Sequence, residues 1–260
     1  MRKLSLLLCS ALLLCLAACS KSDNDIPSLP AGGGAASGGG EPAPAPTASV
    51  MGKISFEGEV PKPTPIQTTA DPNCKEKLFT EDTVVKDGGL GNVVIYVSKG
   101  FEGKNFAPPS TPVTIDQHDC HYVPHALVLM TNQELQIKNS DMTLHNIHAF
   151  PDPSIGNDSF NTGQPVPMVT SHKFTKEEVF LPVKCDVHKW MGAFIAVTSN
   201  PFGTVSAPDG KYDLKLPAGT FEITAIHEKY GKQTAMVTVK DGDMAKMDFK
   251  FKASDAKSGN

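Results

Sequence analysis

Val183-Lys184-Cys185-Asp186-Val187-His188-Lys189-Trp190-Met191 (VKCDVHKWM) is the stretch whose reading decides the fold. It sets a cysteine, a histidine and a methionine at positions 185, 188 and 191, directly after the apolar run Val179, Phe180, Leu181, which reads as the end of a strand. Three soft or borderline-soft ligands so close together point to a metal, and a thiolate beside a thioether favours copper over zinc. Zinc stays open, because the same donors accept it when copper is scarce. A trigonal His2Cys site with a weak axial methionine needs a second imidazole, and His145 in Leu144-His145-Asn146-Ile147 is the candidate. Singly, each residue has a plainer reading as inert core cysteine, satisfied strand histidine or packing methionine. Together they read as one site.

At these residues the sequence resembles the blue copper proteins, the cupredoxins. Cys185-x2-His188-x2-Met191 is similar to the short ligand loop of amicyanin-like members, whereas plastocyanin-like loops set the methionine two residues later. A binuclear purple centre would need a second cysteine in this loop, which offers none. His145-Asn146-Ile147 resembles the His-Asn-Val segment of plastocyanin-type proteins, which implies that Asn146 braces the ligand loop near the thiolate. The resemblance implies one type 1 copper held by His145, Cys185, His188 and Met191. It also implies one-electron transfer with redox protein partners, the ring edge of His188 being the exit. No open ligand position stands beside a base, so an electron carrier is expected, not an enzyme.

Outward from the loop the pattern is all-β. Helical periodicity is scarce, 22 glycines and 21 prolines punctuate the chain, and short β-branched or aromatic runs recur between turn signals. Strands are expected at His121 to Met130, Leu135 to Asn139, His145 to Phe150, Lys173 to Phe180 and Gly192 to Thr198. The stretch from Pro151 to Val169 reads as the longest loop. This order resembles a cupredoxin Greek-key β-sandwich over residues 113–200.

A different pattern flanks it. Val50 to Gly58 alternates as a strand, Asn92 to Val97 is a continuous apolar run that reads as a buried strand, and residues 101–112 read as loop. Asp209-Gly210-Lys211-Tyr212-Asp213-Leu214-Lys215-Leu216-Pro217-Ala218-Gly219-Thr220-Phe221-Glu222-Ile223 carries a hairpin signature of DG turn, alternating strand, PAG turn and alternating strand. That run resembles carboxypeptidase-regulatory or transthyretin-like β-sandwich modules, with one residue fewer between its leucines and Phe221 in place of a final tyrosine. The expectation is a second, smaller β-sandwich from residues 48–112 and 201–252, with the cupredoxin inserted in it or packed beside it. Two short β regions packed independently are the alternative, although a lone two-stranded ribbon is marginal. Residues 253–260 form a tail.

The beginning of the chain reads as an address. Arg2 and Lys3 precede an apolar run from Leu4 to Ala18, and Leu16-Ala17-Ala18-Cys19 resembles a bacterial lipobox. Residues 1–18 would be a lipoprotein signal peptide and Cys19 the lipidated first residue, tethering the chain to a membrane through acyl chains. Ser20 resembles the residue of lipoproteins sent to the outer membrane. An ordinary secretory signal is the alternative. Residues 19–47, with AGGGAASGGG then EPAPAPT, read as a flexible tether. With the leader gone, 22 basic against 28 acidic side chains leave a net charge of about −6, which argues against nucleic acid as a partner.

Of six cysteines, Cys9 and Cys15 leave with the leader and Cys19 takes lipid. With Cys185 on the metal, Cys74 and Cys120 remain, and an oxidising envelope favours a disulfide between them over two free thiols. His118, His121 and His125 could form a second metal site, but surface or packing roles are favoured. His148 should point away from the ligand face, being three residues past His145 on one strand. Trp190 reads either as an apolar docking rim or as packing between modules. Two rival functions remain open: copper storage or delivery without electron transfer, and a surface binding module.

Overall fold

A computed structural model gives the structure of residues 39–256. The leader, Cys19, the tether up to Gly38 and the final residues 257–260 lie outside the described residues. Within them the chain is all-β, with one 3-10 turn at Ala253–Asp255.

The strands fall into three runs along the chain. The first holds β1 (Ala48–Glu57), β2 (Val85–Lys86), β3 (Gly89–Leu90) and β4 (Val94–Lys99). The second holds β5 (Val113–His118), β6 (His121–Val123), β7 (Ala126–Met130), β8 (Leu135–Asn139), β9 (His145–Ala149), β10 (Asn161–Gln164), β11 (Met168–His172), β12 (Glu178–Lys184) and β13 (Gly192–Thr198). The third holds β14 (Gly203–Val205), β15 (Lys211–Leu216), β16 (Gly219–His227), β17 (Gly231–Val239), β18 (Met244–Lys246) and β19 (Phe249–Lys252).

The middle run builds an inner sandwich from a sheet in the order β10-β9-β12-β13-β7 and a sheet in the order β11-β8-β5-β6. Parallel pairing of β13 with β7 and of β5 with β8 ties sequence-distant strands across each sheet. Ile115, Leu129, Leu135, Ile137, Ile147, Leu181 and Ile195 fill the space between them. The first and third runs build an outer sandwich together. One sheet runs β15-β1-β3-β2 with β18 and β19 pairing parallel to β1, and the other runs β14-β4-β16-β17. Its core holds Val50, Ile54, Leu90, Ile95, Val97, Leu214, Leu216, Phe221 and Ile223.

A smaller apolar cluster joins the two sandwiches: Val94 and Tyr96 of β4, Ala126 of β7 and Ala196 of β13. That explains the unbroken apolar run in β4. Successive side chains point to opposite faces, so Ile95 and Val97 enter the outer core while Val94 and Tyr96 face the inner sandwich. Gly203 marks a close approach, since a Cβ there would lie 2.8 Å from a methyl of Val128.

Several expectations are corrected. The strands on either side of Pro217-Ala218 do not form a hairpin: β15 pairs with β1, from Ala48↔Leu216 to Lys53↔Lys211, while β16 pairs with β4 and β17. Tyr212, Leu214 and Leu216 face the core from one sheet, and Phe221, Ile223 and Ala225 face it from the other. The turn therefore carries the chain across the core, and the hairpin in this region is β16–β17, closing at His227↔Gly231. His121 to Met130 divides around Pro124 into β6 and β7, which lie in different sheets, since proline has no N–H to continue a ladder. Strand β12 begins at Glu178 and runs on through Pro182 to Lys184, with a register shift at Phe180, whose φ is 76°. The stretch read as the longest loop contains polar β10, whose backbone pairs with His145 to His148. The end of the tether is docked: the Glu41 N–H donates to the Asn105 carbonyl at 2.8 Å, and the Thr47 N–H to the Leu216 carbonyl at 2.9 Å.

Candidate metal centre

The loop joining β12 to β13 folds back on itself. The Cys185 N–H donates to the Met191 carbonyl at 3.2 Å, the Met191 N–H to the His188 carbonyl at 2.9 Å, and the His188 N–H to the Cys185 sulfur at 3.2 Å. Strand β9 begins at His145, beside β12, so that ring enters the same space. His145, Cys185 and His188 are 0 %, 1 % and 3 % exposed, and their ligand atoms all lie within 4.8 Å of one another. Cys185 is the free cysteine among the described residues. Met191 is buried in the same apolar cluster as Cys185.

The histidines meet through their inner nitrogens. Nδ1 of His145 lies 2.9 Å from Nδ1 of His188, which in turn is 3.9 Å from the Cys185 sulfur. Each outer nitrogen is held by a carboxylate, His145 Nε2 by Asp141 at 2.8 Å and His188 Nε2 by Asp71 at 3.1 Å. Both carboxyl groups are held below the usual range. For Asp71 the Thr143 hydroxyl at 2.6 Å is the largest cause, with the backbone of Asn73 next, and its pKa falls to about 2. For Asp141 burial pushes upward, but the Cys120 N–H and the His145 ring outweigh it. Burial lowers His145 and so favours its neutral ring.

These contacts fix where the hydrogens are. A carboxylate accepts, so each outer nitrogen carries the N–H and each inner nitrogen presents a lone pair. Two inner lone pairs 2.9 Å apart repel unless a cation, a proton or a metal ion, lies between them. Ring nitrogens bind an ion such as zinc at about 2.0–2.1 Å, so both reach one ion together. The thiol beside them completes a donor set of two imidazoles and a soft sulfur, which fits copper.

Asn146, next to His145, ties the two ligand segments. Its Oδ1 accepts from the N–H groups of Asp186 at 2.7 Å and Val187 at 3.3 Å and lies 3.3 Å from the Cys185 sulfur. Its Nδ2 donates to Asn161 of β10 at 2.7 Å, and the Tyr122 hydroxyl donates to its carbonyl at 2.6 Å.

Cys74 and Cys120 are joined in a disulfide with Cα atoms 5.5 Å apart. It lies against the centre: Cys74 clusters with Asp71 and His188, and Cys120 with Asp141 and His145. The Trp190 indole N–H donates to the Cys120 carbonyl at 2.9 Å, and its ring lies 5.0 Å from that of His188. Trp190 therefore packs onto the disulfide side of the centre.

The ring edge of His188, expected as the exit, is not open to solvent. The ring is buried and its outer nitrogen is taken by Asp71, because the disulfide holds residues 68–74 over it. Asp71, Thr143 and Asp141 escaped the sequence reading. Asp71 stands three residues before Cys74, so the Cys74–Cys120 pairing carried a signal for it. Among the other histidines, His118 is exposed beside Asp119 and Asp141, and the Nδ1 of His121 lies 3.3 Å from the Asp119 carbonyl. His125 bonds Glu228 at 2.7 Å, and half-buried His148 bonds Asp186 at 3.0 Å.

No protein-family model matches the chain, and no curated protein matches it. Solved structures resemble part of it. A copper-containing nitrite reductase (NirK) from Thermus scotoductus SA-01 is 18 % identical over 38 % of this chain and 25 % of its own length, with a TM-score of 0.31. A novel purple cupredoxin from Nitrosopumilus maritimus is 20 % identical over 33 % of this chain and 99 % of its own, with a TM-score of 0.28. Amicyanin from Paracoccus versutus is 17 % identical over 40 % of this chain and 96 % of its own, with a TM-score of 0.30. The chain thus spans a quarter of the nitrite reductase's length.

Proposed function

We propose that this chain is a mononuclear type 1 copper protein that passes single electrons between redox protein partners in the cell envelope. The observation that carries the reading is the convergence of two bare Nδ1 lone pairs beside a buried thiol, with both outer nitrogens fixed by carboxylates. His145, Cys185 and His188 would hold the ion, with Met191 as the weak axial ligand. Bound copper would supply a one-electron couple. The chain's own residues hold the imidazoles in one tautomer, brace the ligand loop through Asn146 and keep the thiol dry.

The leader and Cys19 support a lipid-anchored protein facing the periplasm, on the outer membrane, with the tether lending reach. The boundaries 48–112 with 201–252, and 113–200, are proposed as its two modules. One observation favours copper storage or delivery as the second reading: Asp71 covers the ring edge through which a partner would otherwise draw an electron. The test is a visible spectrum of the oxidised, copper-loaded protein followed by voltammetry. Intense blue absorption with a reversible couple is expected. A colourless sample would sink the type 1 site, and transfer of copper to an acceptor without redox cycling would favour delivery.

A further inference from the structure

We propose that Thr68–Cys74 is a latch in which Asp71 acts as a positioning residue, fixing the His188 ring and closing its outer edge, and which the Cys74–Cys120 disulfide holds in place. The inference rests on the metal-centre reading and adds a control supplied by residues far ahead of the ligand loop in sequence.

The latch is built as a tight turn. The Thr68 hydroxyl donates to the Cys74 carbonyl at 3.0 Å, the Asp71 N–H to the Thr68 carbonyl at 3.2 Å, and the Cys74 N–H to the Asp71 carbonyl at 3.1 Å. Asp71 divides its carboxylate between two tasks. One oxygen takes the Asn73 N–H at 2.8 Å and so fixes the turn; the other takes the Thr143 hydroxyl and His188 Nε2. Thr143 stands two residues before His145, so Asp71 bridges the two ligand segments from outside.

The other end of the disulfide serves the other histidine. Asp141 receives the N–H groups of Asp119 and Cys120, both at 2.9 Å, and holds His145. One covalent link therefore joins the segment that carries Asp71 to the backbone that holds Asp141. Asp141 belongs to the inner sandwich, whereas Asp71 lies in the connection between β1 and β2 of the outer one. The second grip is thus an addition to the centre from outside it. A carboxylate on the outer N–H makes the ring a stronger donor, and loss of such a partner typically costs about 10–100-fold in metal affinity or activity.

The experiment compares wild type with Asp71→Asn, which keeps the shape and removes the charge. Copper affinity by chelator competition should fall about tenfold or more, the reduction potential should rise, and copper loss to chelator should speed up, with the circular dichroism of the folded protein unchanged. Thr143→Val should move affinity and potential the same way by less. Cys74→Ala/Cys120→Ala should reproduce Asp71→Asn; should that double variant not fold, Thr143→Val still decides. Unchanged affinity and potential in Asp71→Asn would overturn the latch. Wild type without copper absorption would instead defeat the parent reading. The latch is then judged in metal-free protein by 15N NMR: a retained His188 Nε2 proton that Asp71→Asn releases supports it, and identical His188 spectra overturn it.

Discussion

Two pairs of histidines, all buried except half-buried His125, do opposite things in this molecule. His145 and His188 turn their inner nitrogens toward each other and give their outer ones to carboxylates. His125 and His227, where the two sandwiches meet, diverge. His125 gives Nε2 to Glu228 at 2.7 Å and has Glu81 at 3.9 Å from Nδ1, while His227 accepts the Lys229 N–H on Nδ1 at 3.1 Å and leaves Nε2 buried without a partner. Burial and neighbouring acids are common to both pairs. Convergence of lone pairs beside a thiol belongs to the first alone, and it marks the candidate metal centre better than the number of histidines does.

The difference is sharpest in Cys185→Ser. Removing the thiolate should abolish the intense visible absorption of the copper-loaded protein, whereas His227→Phe should leave the spectrum as it is. An unchanged band in Cys185→Ser would break the comparison.

The second pair should show itself in the pH dependence of folding. Burial, then the charge of His125, pushes His227 down from 6.5 to about 4. A depressed folded pKa means that the unfolded chain binds more protons between these values. Stability is therefore complete above about pH 6.5 and lost as pH falls toward 4, by about 3 kcal/mol in all. His227→Phe should flatten that slope in denaturant titrations at about pH 4, 5 and 7; an identical slope would show that His227 is not its source.

His125 carries the opposite sign. Burial pulls its pKa down, but Glu228 and then Glu81 raise it further, above 6.5. Its stabilisation is present below pH 6.5 and lost as pH rises through the raised value. Glu228→Gln should cost about 1 kcal/mol at about pH 6 and progressively less as pH rises through the raised value. The smallest effect belongs to His118→Ala, whose ring is exposed at the β5–β6 turn; copper absorption and affinity should not change.

Strand positions were legible where a single rule acted. Leu135–Asn139 and Gly192–Thr198 alternate or run apolar between turn signals, and both form strands there. The reading failed where tertiary pairing overrode local pattern. Asn161–Gln164 is polar and Gly-containing, yet its backbone completes a sheet beside His145, so no hydrophobic signal could mark it. Lys211–Leu216 and Gly219–His227 have hairpin chemistry around a short turn, but each has an apolar face needing the same core, and that demand separates them. At the centre, the residues that the sequence singles out by type, His145, Cys185 and His188, are brought together. Of their carboxylate partners, Asp71 is hinted at only by its closeness to Cys74 and Asp141 by nothing local, because an aspartate acquires this role from contacts across the fold.

The pairing of β4 with β14, Tyr96↔Gly203, also closes a long loop. Closing a loop costs entropy that grows with its length, and the outer sandwich cannot join its two halves without bringing those distant positions together. The inner strands lie between them in sequence, and all their pairings, the distant β13 with β7 included, close within residues 113–198. Once they have packed, Ala126 and Ala196 offer β4 a ready surface and the gap from Lys99 to Gly203 is spanned by a folded body instead of a free chain. The sandwich that carries the candidate centre is then the bridge across which the two halves of the outer one meet.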